Sequence, residues 1–175
     1  MKFLFWNIEK KQVCFDVIVD LIKDATFDVI ALAEIPQDDN DTLLPKLQSI
    51  DSNFSFLKPL IKEKVALYYN KSTAIVGNQF NEGKVAIKRI TSKTGKVIAN
   101  ISFLHLDSKV NYSEMELSQR VDVIVQSVLR FEADPNMEHG ILLLCGDFNM
   151  NPFEIGCIKA NGFNAVMVKK NCTKR

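Results

Sequence analysis

The chain has 175 residues and a mass of 19.8 kDa, a size that fits one ordinary domain over residues 1–175 and leaves no room for two full ones. At 47% hydrophobic and 25% charged, with 7 Gly and 5 Pro, the composition excludes disordered, collagenous and disulfide-scaffold classes. The net charge of +1 hides segregation: residues 9–51 carry 4 basic and 10 acidic side chains, residues 58–96 carry 9 and 2, and residues 97–168 carry 4 and 9.

No apolar run approaches the ~20 residues needed to cross a bilayer, so a membrane-spanning protein is not expected. Phe3–Trp6 is too short for a secretory leader, whose apolar core runs ~7–15 residues, and reads as a buried strand. Cys14, Cys145, Cys157 and Cys172 form no C-x-x-C pair, and three of them stand in apolar contexts, which points to reduced thiols and a cytoplasmic protein.

After the first strand, Cys14, Val17, Ile18, Leu21 and Ile22 fall on one helical stripe. The run from Asp28 to Ile35 is short and uniformly apolar, the pattern of a strand covered on both faces. Residues 42–50 predict a short helix with Leu43, Leu44 and Leu47 inward. The pattern then changes to strand-like segments at 54–58, 64–69, 73–76, 85–91 and 96–106, separated by turn residues such as Asn70, Gly77, Gly83 and Gly95. A second helix is predicted from Ser113 to Phe131 through Leu117, Val121, Ile124, Val125, Val128 and Leu129. Ile141–Cys145 follows as a core strand, and a short helix at 153–160 and a strand near 163–168 close the chain. The result is a mixed α/β protein with much antiparallel sheet.

The carboxyl ends of the apolar runs carry the chemistry. FLFW ends in Asn7, DVIALA in Glu34, ISFL in His105, and ILLLCG in Asp147 followed closely by Asn149. Strands lying side by side would deliver two carboxylates, two carboxamides and an imidazole to one rim. Taken singly, each has a plain structural use. Gly146, Asp147 and Asn149 are common turn formers, Asn7 can cap the helix after it, Glu34 can be a solvated strand end, and a lone histidine is commonly structural. Together they fit hydrolysis of a phosphate ester with a hard cation. Magnesium takes oxygen ligands, usually one or two carboxylates plus substrate phosphate, and Glu34 suits it. Asn7, His105 and Asn149 can stabilise phosphoryl oxygens, and Asp147 can hold the attacking water or bind metal. The basic block at 58–96 is either a phosphate-backbone footprint or a solvated strand face whose lysines discourage edge pairing.

W-N at Trp6 and Asn7, D-V-I-A-L-A-E at Asp28–Glu34, V-A-L-Y-Y-N-K at Val65–Lys71, F-L-H-L at Phe103–Leu106 and G-D-F-N-M-N-P at Gly146–Pro152 together resemble the endonuclease/exonuclease/phosphatase superfamily, to which deoxyribonuclease-I-like enzymes belong. The resemblance implies a layered α/β sandwich of two mixed, largely antiparallel sheets flanked by helices. It implies Glu34 as the principal Mg2+ ligand with Asn7 beside it, with Mn2+ as a substitute. It implies His105 as donor to the scissile phosphate, and Asp147 and Asn149 as positioning nucleophile and phosphate. Asn7, His105 and Asn149 would then contact substrate, and His105, Asp147 and Asn149 would be catalytic. Arg120, at the border of the inward helical stripe, is expected to face solvent or serve structure.

One departure matters. Members of the superfamily end with a further Asp-His or similar pair on a late strand, the histidine acting as general base. Here 26 residues follow Asn149 and none is histidine, while His139 precedes the G-D-F-N strand. The expectation is a C-terminally truncated form with one sheet short, or a chain that lacks that base, whose loss typically lowers the rate by ~10² to 10⁴. The function expected is an Mg2+-dependent phosphodiesterase, a nuclease that binds nucleic acid through residues 58–96. The alternatives are a phosphatase for a phosphorylated small molecule or lipid head group, and a catalytically impaired relative that binds nucleic acid or protein. Oligomeric state is not set by the sequence.

Overall fold

The computed structural model describes residues 1–36, 40–58, 64–82, 85–106, 112–135, 138, 140–149 and 156–164. Eight strands and four helices follow in the order β1 (Phe3–Asn7), α1 (Cys14–Asp24), β2 (Val29–Ala33), α2 (Asn40–Ile50), β3 (Phe54–Leu57), β4 (Val65–Asn70), β5 (Ile75–Glu82), β6 (Val85–Thr91), β7 (Val97–His105), α3 (Glu114–Ala133), β8 (Ile141–Asp147) and α4 (Gly156–Ala160). The strands form two mixed sheets, ordered β1-β2-β4-β3 and β5-β6-β7-β8. Each sheet holds one parallel pair, β1/β2 or β7/β8, and is otherwise antiparallel.

Side-chain alternation assigns the layers. In β2, Val29, Ala31 and Ala33 pack with Val76, Ile90, Ala99, Ile101 and Phe103 of the other sheet, while Ile30 and Leu32 pack with Phe15, Ile18, Ile22, Leu43 and Leu47 of α1 and α2. All five β2 residues are therefore buried, which explains the uninterrupted apolar run. On the outer face of the second sheet, Val85, Ile87 and Leu104 meet Val121, Ile124, Val125, Val128 and Phe131 of α3. The layers run helices, sheet, sheet, helices. Each fully buried aliphatic or aromatic side chain contributes about 1.5–3 kcal/mol, so an aspartate at Ile30 or Ile101 would break a sheet's seating.

One expectation changes. The buried stripe of α1 is Phe15, Ile18 and Ile22, with Val17 45% and Leu21 39% exposed, so the helix is rotated from the predicted face. Phe15 offers the larger apolar area, and the set Phe15, Ile18, Val19, Ile22 fits the helical repeat as well. Ser113 starts α3 with a full capping box. Its hydroxyl accepts from the Glu116 N–H at 3.3 Å, and the Glu116 carboxylate accepts from the Ser113 N–H at 2.8 Å. Phe163 packs on the α3 layer, and the remainder of the strand expected near 163–168, from residue 165 onward, lies outside the described residues, as do 153–155 of the last helix. No described helix is long and apolar enough to cross a membrane.

Candidate active site

The two parallel pairs position the site. In β1/β2 the last pair in register is Asn7 with Ala33, and in β7/β8 it is His105 with Asp147. Parallel neighbours end on the same side, so each sheet presents two carboxyl ends together. The sheets then bring the ends to one rim: Asn7 Nδ2 donates to Glu34 Oε1 at 3.2 Å and to Asp147 Oδ2 at 3.0 Å, bridging residues 140 apart in sequence. His105 Nε2 lies 2.9 Å from Glu34 Oε1. Asn7, Glu34, His105, Asp147 and Asn149 all gather at this place.

Each residue arrives by a local device. Asn7, His105 and Asp147 follow Phe5, Phe103 and Cys145 by two residues, so alternation aims them toward the face between the sheets. Glu34 follows Ala33 by one residue, and continued alternation would send it to the helix side. Its backbone instead adopts φ 54°, a left-handed conformation that breaks the alternation. Such a conformation in a glutamate costs roughly 1–2 kcal/mol, and strain of this kind gathers at functional sites.

Gly146 lets β8 approach β7 before the turn, since a Cβ there would run into the Leu104 carbonyl. Asp147 Oδ1 then accepts from the Asn149 N–H at 2.9 Å, and Asn149, at φ 51°, donates its Nδ2 to the Leu106 carbonyl at 2.6 Å. Leu106 N–H returns to the Asp147 carbonyl at 2.9 Å.

Two expected roles shift with this geometry. The Asn7 Oδ1 accepts from the Glu9 N–H at 3.0 Å, so the amide faces the carboxylates with its nitrogen and acts as a donor, where an oxygen ligand had been expected. A backbone N–H can only donate, which fixes that orientation. Asn149 gives its amide nitrogen to the backbone, so it holds Asp147 in place. Arg120 stacks over Tyr112, 3.8 Å from the ring centroid, in the structural use expected of it.

The electrostatics are uneven. Among the described residues neither Glu34 nor Asp147 is paired with a lysine or arginine. Two carboxylate oxygens meet on one amide NH2 group, the environment a hard cation would satisfy better. No group of three or more His, Cys, Asp or Glu side chains forms a ready cage among the described residues, so substrate and water would have to complete any coordination. The His105 side chain is 11% exposed, and neither ring nitrogen has a well-aligned hydrogen bond among the described residues, although Nε2 is close to Glu34. Burial pushes the Cys145 thiol, two residues before Asp147, up to about 11.

The basic block does not form one face. Val65 pairs with Ala33, which puts Lys64 at the site end of its sheet, and Phe56–Tyr68 pairing puts Lys58 there too. Lys93 and Lys96 sit in the β6–β7 turn and Lys71 follows β4, at the opposite end. Lys88 is buried at 2% exposure, and Arg89 is engaged with Asn100 and the Glu138 carbonyl. Lys62 and Lys84 lie outside the described residues. The turn Ile8–Lys11 beside the site gave no sequence signal, because Glu-Lys is not a turn-forming pair.

No family model matches the sequence, and no curated protein does. Solved structures do match. D. rerio TDP2, in complex with a single-strand DNA product, is 16% identical with a TM-score of 0.62, the match covering 92% of this chain and 64% of that one. An endonuclease/exonuclease/phosphatase family protein from Bacteroides thetaiotaomicron is 11% identical with a TM-score of 0.64, covering 89% and 66%. A mannosyl-6-phosphatase from the same organism is 11% identical with a TM-score of 0.62, covering 89% and 68%. The fold is that of the endonuclease/exonuclease/phosphatase superfamily, and the chain spans about two thirds of the length of these structures.

Proposed function

We propose that the chain is a metal-dependent phosphodiester hydrolase acting on nucleic acid. One observation carries the reading: strand ends from both sheets bring Asn7 within hydrogen-bonding distance of Glu34 and Asp147, and His105 within 2.9 Å of Glu34. Glu34 and Asp147 would hold Mg2+, or Mn2+ in its place, because both carboxylates face the Asn7 amide without a lysine or arginine partner among the described residues. A bound ion would supply Lewis-acid polarisation of a phosphoryl oxygen.

The chain's own groups do the rest. Asn7 keeps the two carboxylates at a fixed separation. His105 donates to a phosphoryl oxygen, which offsets the roughly 1–3 kcal/mol that a buried, unsatisfied polar group costs. Asp147, steadied by the Asn149 N–H, orients the attacking water or shares the metal. The free thiols of Cys14 and Cys145 suit a reducing, cytoplasmic setting.

The mannosyl-6-phosphatase of the same fold supports a second reading, a phosphatase for a small phosphorylated substrate. Both are tested together by incubating the protein with single-stranded DNA, plasmid and a sugar phosphate, with magnesium or with chelator. Metal-dependent strand cleavage lost in Glu34→Ala supports the first reading, and inorganic phosphate released from the sugar alone supports the second. Binding to DNA without turnover would make the chain a non-catalytic relative. Cleavage that survives Glu34→Ala would refute this site.

A further inference from the structure

The turn leading from β1 into α1 is made of residues unsuited to its backbone. Ile8–Lys11 is closed by the Lys11 N–H to the Ile8 carbonyl at 2.9 Å, and both central residues have positive φ, 50° for Glu9 and 57° for Lys10. Two successive positive φ values mark a type I′ turn, where Asn, Asp or Gly is favoured because other L side chains crowd the following carbonyl. The turn is nonetheless firmly held. Ile8 N–H donates to the Ala33 carbonyl at 3.1 Å, Glu9 N–H to Asn7 Oδ1 at 3.0 Å, and Lys10 N–H to the Glu34 carbonyl at 2.9 Å.

Every one of those bonds comes from backbone N–H groups, so Asn-Gly would serve the fold better than Glu-Lys. The side chains must account for the choice, or nothing does. The Glu9 carboxylate pairs with Lys11, while Lys10 is exposed and belongs to no ion pair among the described residues. Its backbone is bonded to Glu34, so its ammonium stands within one side chain's reach of a cluster that otherwise gathers carboxylates. A polyanion entering there needs a cation that the cluster lacks.

We infer that Lys10 is a substrate-binding residue that pairs with a phosphate neighbouring the one hydrolysed, and that the strained turn exists to present it. This rests on the phosphodiesterase reading and narrows it to substrates with more than one phosphate. Lys10 carries specificity for the strand and takes no part in bond breaking.

The test uses a fluorescent phosphorothioate single strand, which resists cleavage, in magnesium, with Kd measured against salt for wild type, Lys10→Asn, Lys10→Arg and Lys96→Asn. Asparagine tolerates the left-handed backbone, so Lys10→Asn should melt no lower than wild type while binding several-fold more weakly. Its log Kd against log salt should be shallower by about 0.7, the loss of one single-strand phosphate contact. Lys10→Arg should keep both affinity and slope, and Lys96→Asn, at the far end of the sheet, should change neither. Unchanged affinity and slope in Lys10→Asn would overturn the inference while leaving the phosphodiesterase reading intact. A lower melting temperature in Lys10→Asn would overturn the strain argument. Wild-type protein that binds no strand would remove both the inference and the nucleic-acid reading.

Discussion

Replacing Asn7 by alanine is the most direct physical test of the site. Asn7 Nδ2 is 3.2 Å from Glu34 Oε1 and 3.0 Å from Asp147 Oδ2, so the two carboxylate oxygens are separated by no more than the two bonds end to end. At about 6 Å and an effective dielectric of about 20, two unit charges repel by roughly 2–3 kcal/mol, and the amide between them offsets part of this. Hydrogen bonds to charged groups contribute about 1.5–3 kcal/mol each when buried, and these sites are part-exposed, which lowers the figure. Asn7→Ala also frees the Glu9 N–H of its acceptor. A net loss of about 2–3 kcal/mol follows, which for a chain of this length lowers Tm by about 4–12 °C. Magnesium should restore part of it, because an ion held by the two carboxylates would stabilise the fold by about 2.7 kcal/mol at 100 times its Kd. The assay is thermal unfolding of wild type, Asn7→Ala, Asp147→Ala and the double variant, with and without magnesium. The double variant should lose less than the sum of the singles, since the residues share one bond. Additive losses, or a change under 0.5 kcal/mol in Asn7→Ala, would refute the convergence of β1 with β8.

Ser113→Ala removes one half of the α3 capping box and should lower stability by about 1 kcal/mol, read as a shift in denaturation midpoint at pH 7. The Ser113 N–H, then its hydroxyl, holds the Glu116 carboxyl below its ordinary value. Glu116 therefore stabilises the fold above the unfolded carboxylate range and loses that contribution as pH falls through its lowered value. Ser113→Ala keeps the N–H and removes only the smaller, hydroxyl contribution, so it should flatten this acid limb in part, whereas Glu116→Gln should remove the limb's Glu116 share altogether; a limb unchanged in Glu116→Gln would show that the box is not formed in solution. The Cys145 thiol, raised to about 11 by burial, should resist alkylation at pH 8 in folded protein and react once denatured, as read by peptide mass spectrometry. Rapid labelling of Cys145 in the folded state would mean that the space between the sheets opens readily.

Much of the site was legible because strand ends are legible. An apolar run with a polar residue at its carboxyl end marks where a chain leaves a covered sheet, and Asn7, Glu34, His105 and Asp147 were all found that way. What the sequence withheld is pairing. Nothing in FLFW or ILLLC says that β1 and β8 would sit opposite each other in different sheets, yet the Asn7–Asp147 bond depends on it. Backbone conformation was equally hidden: Glu34 and Lys10 have left-handed φ values that their residue types do not advertise. The face of α1 is not decided by its sequence, because two apolar stripes overlap along one helix and the sheet beneath selects the one containing Phe15.

The basic block shows how register decides what a run of charge can do. In a linear string, Lys58, Lys64, Lys71, Lys93 and Lys96 look like one footprint, but antiparallel strands return the chain to alternate ends of the sheet. Lys64 lies one strand over from the carboxyl end of β2 and Lys58 a further strand away, both at the site end, while Lys71, Lys93 and Lys96 lie at the other end, separated by the length of the strands. A strand rises ~3.3 Å per residue, so the six residues of β4 span roughly 20 Å, about twice the Debye length in ordinary salt. The far lysines are thus screened from a phosphate held at Glu34. The cations that matter to such a phosphate are those placed by the site-end turns, which is why Lys10, from a segment whose net charge is acidic, outranks most of the basic block.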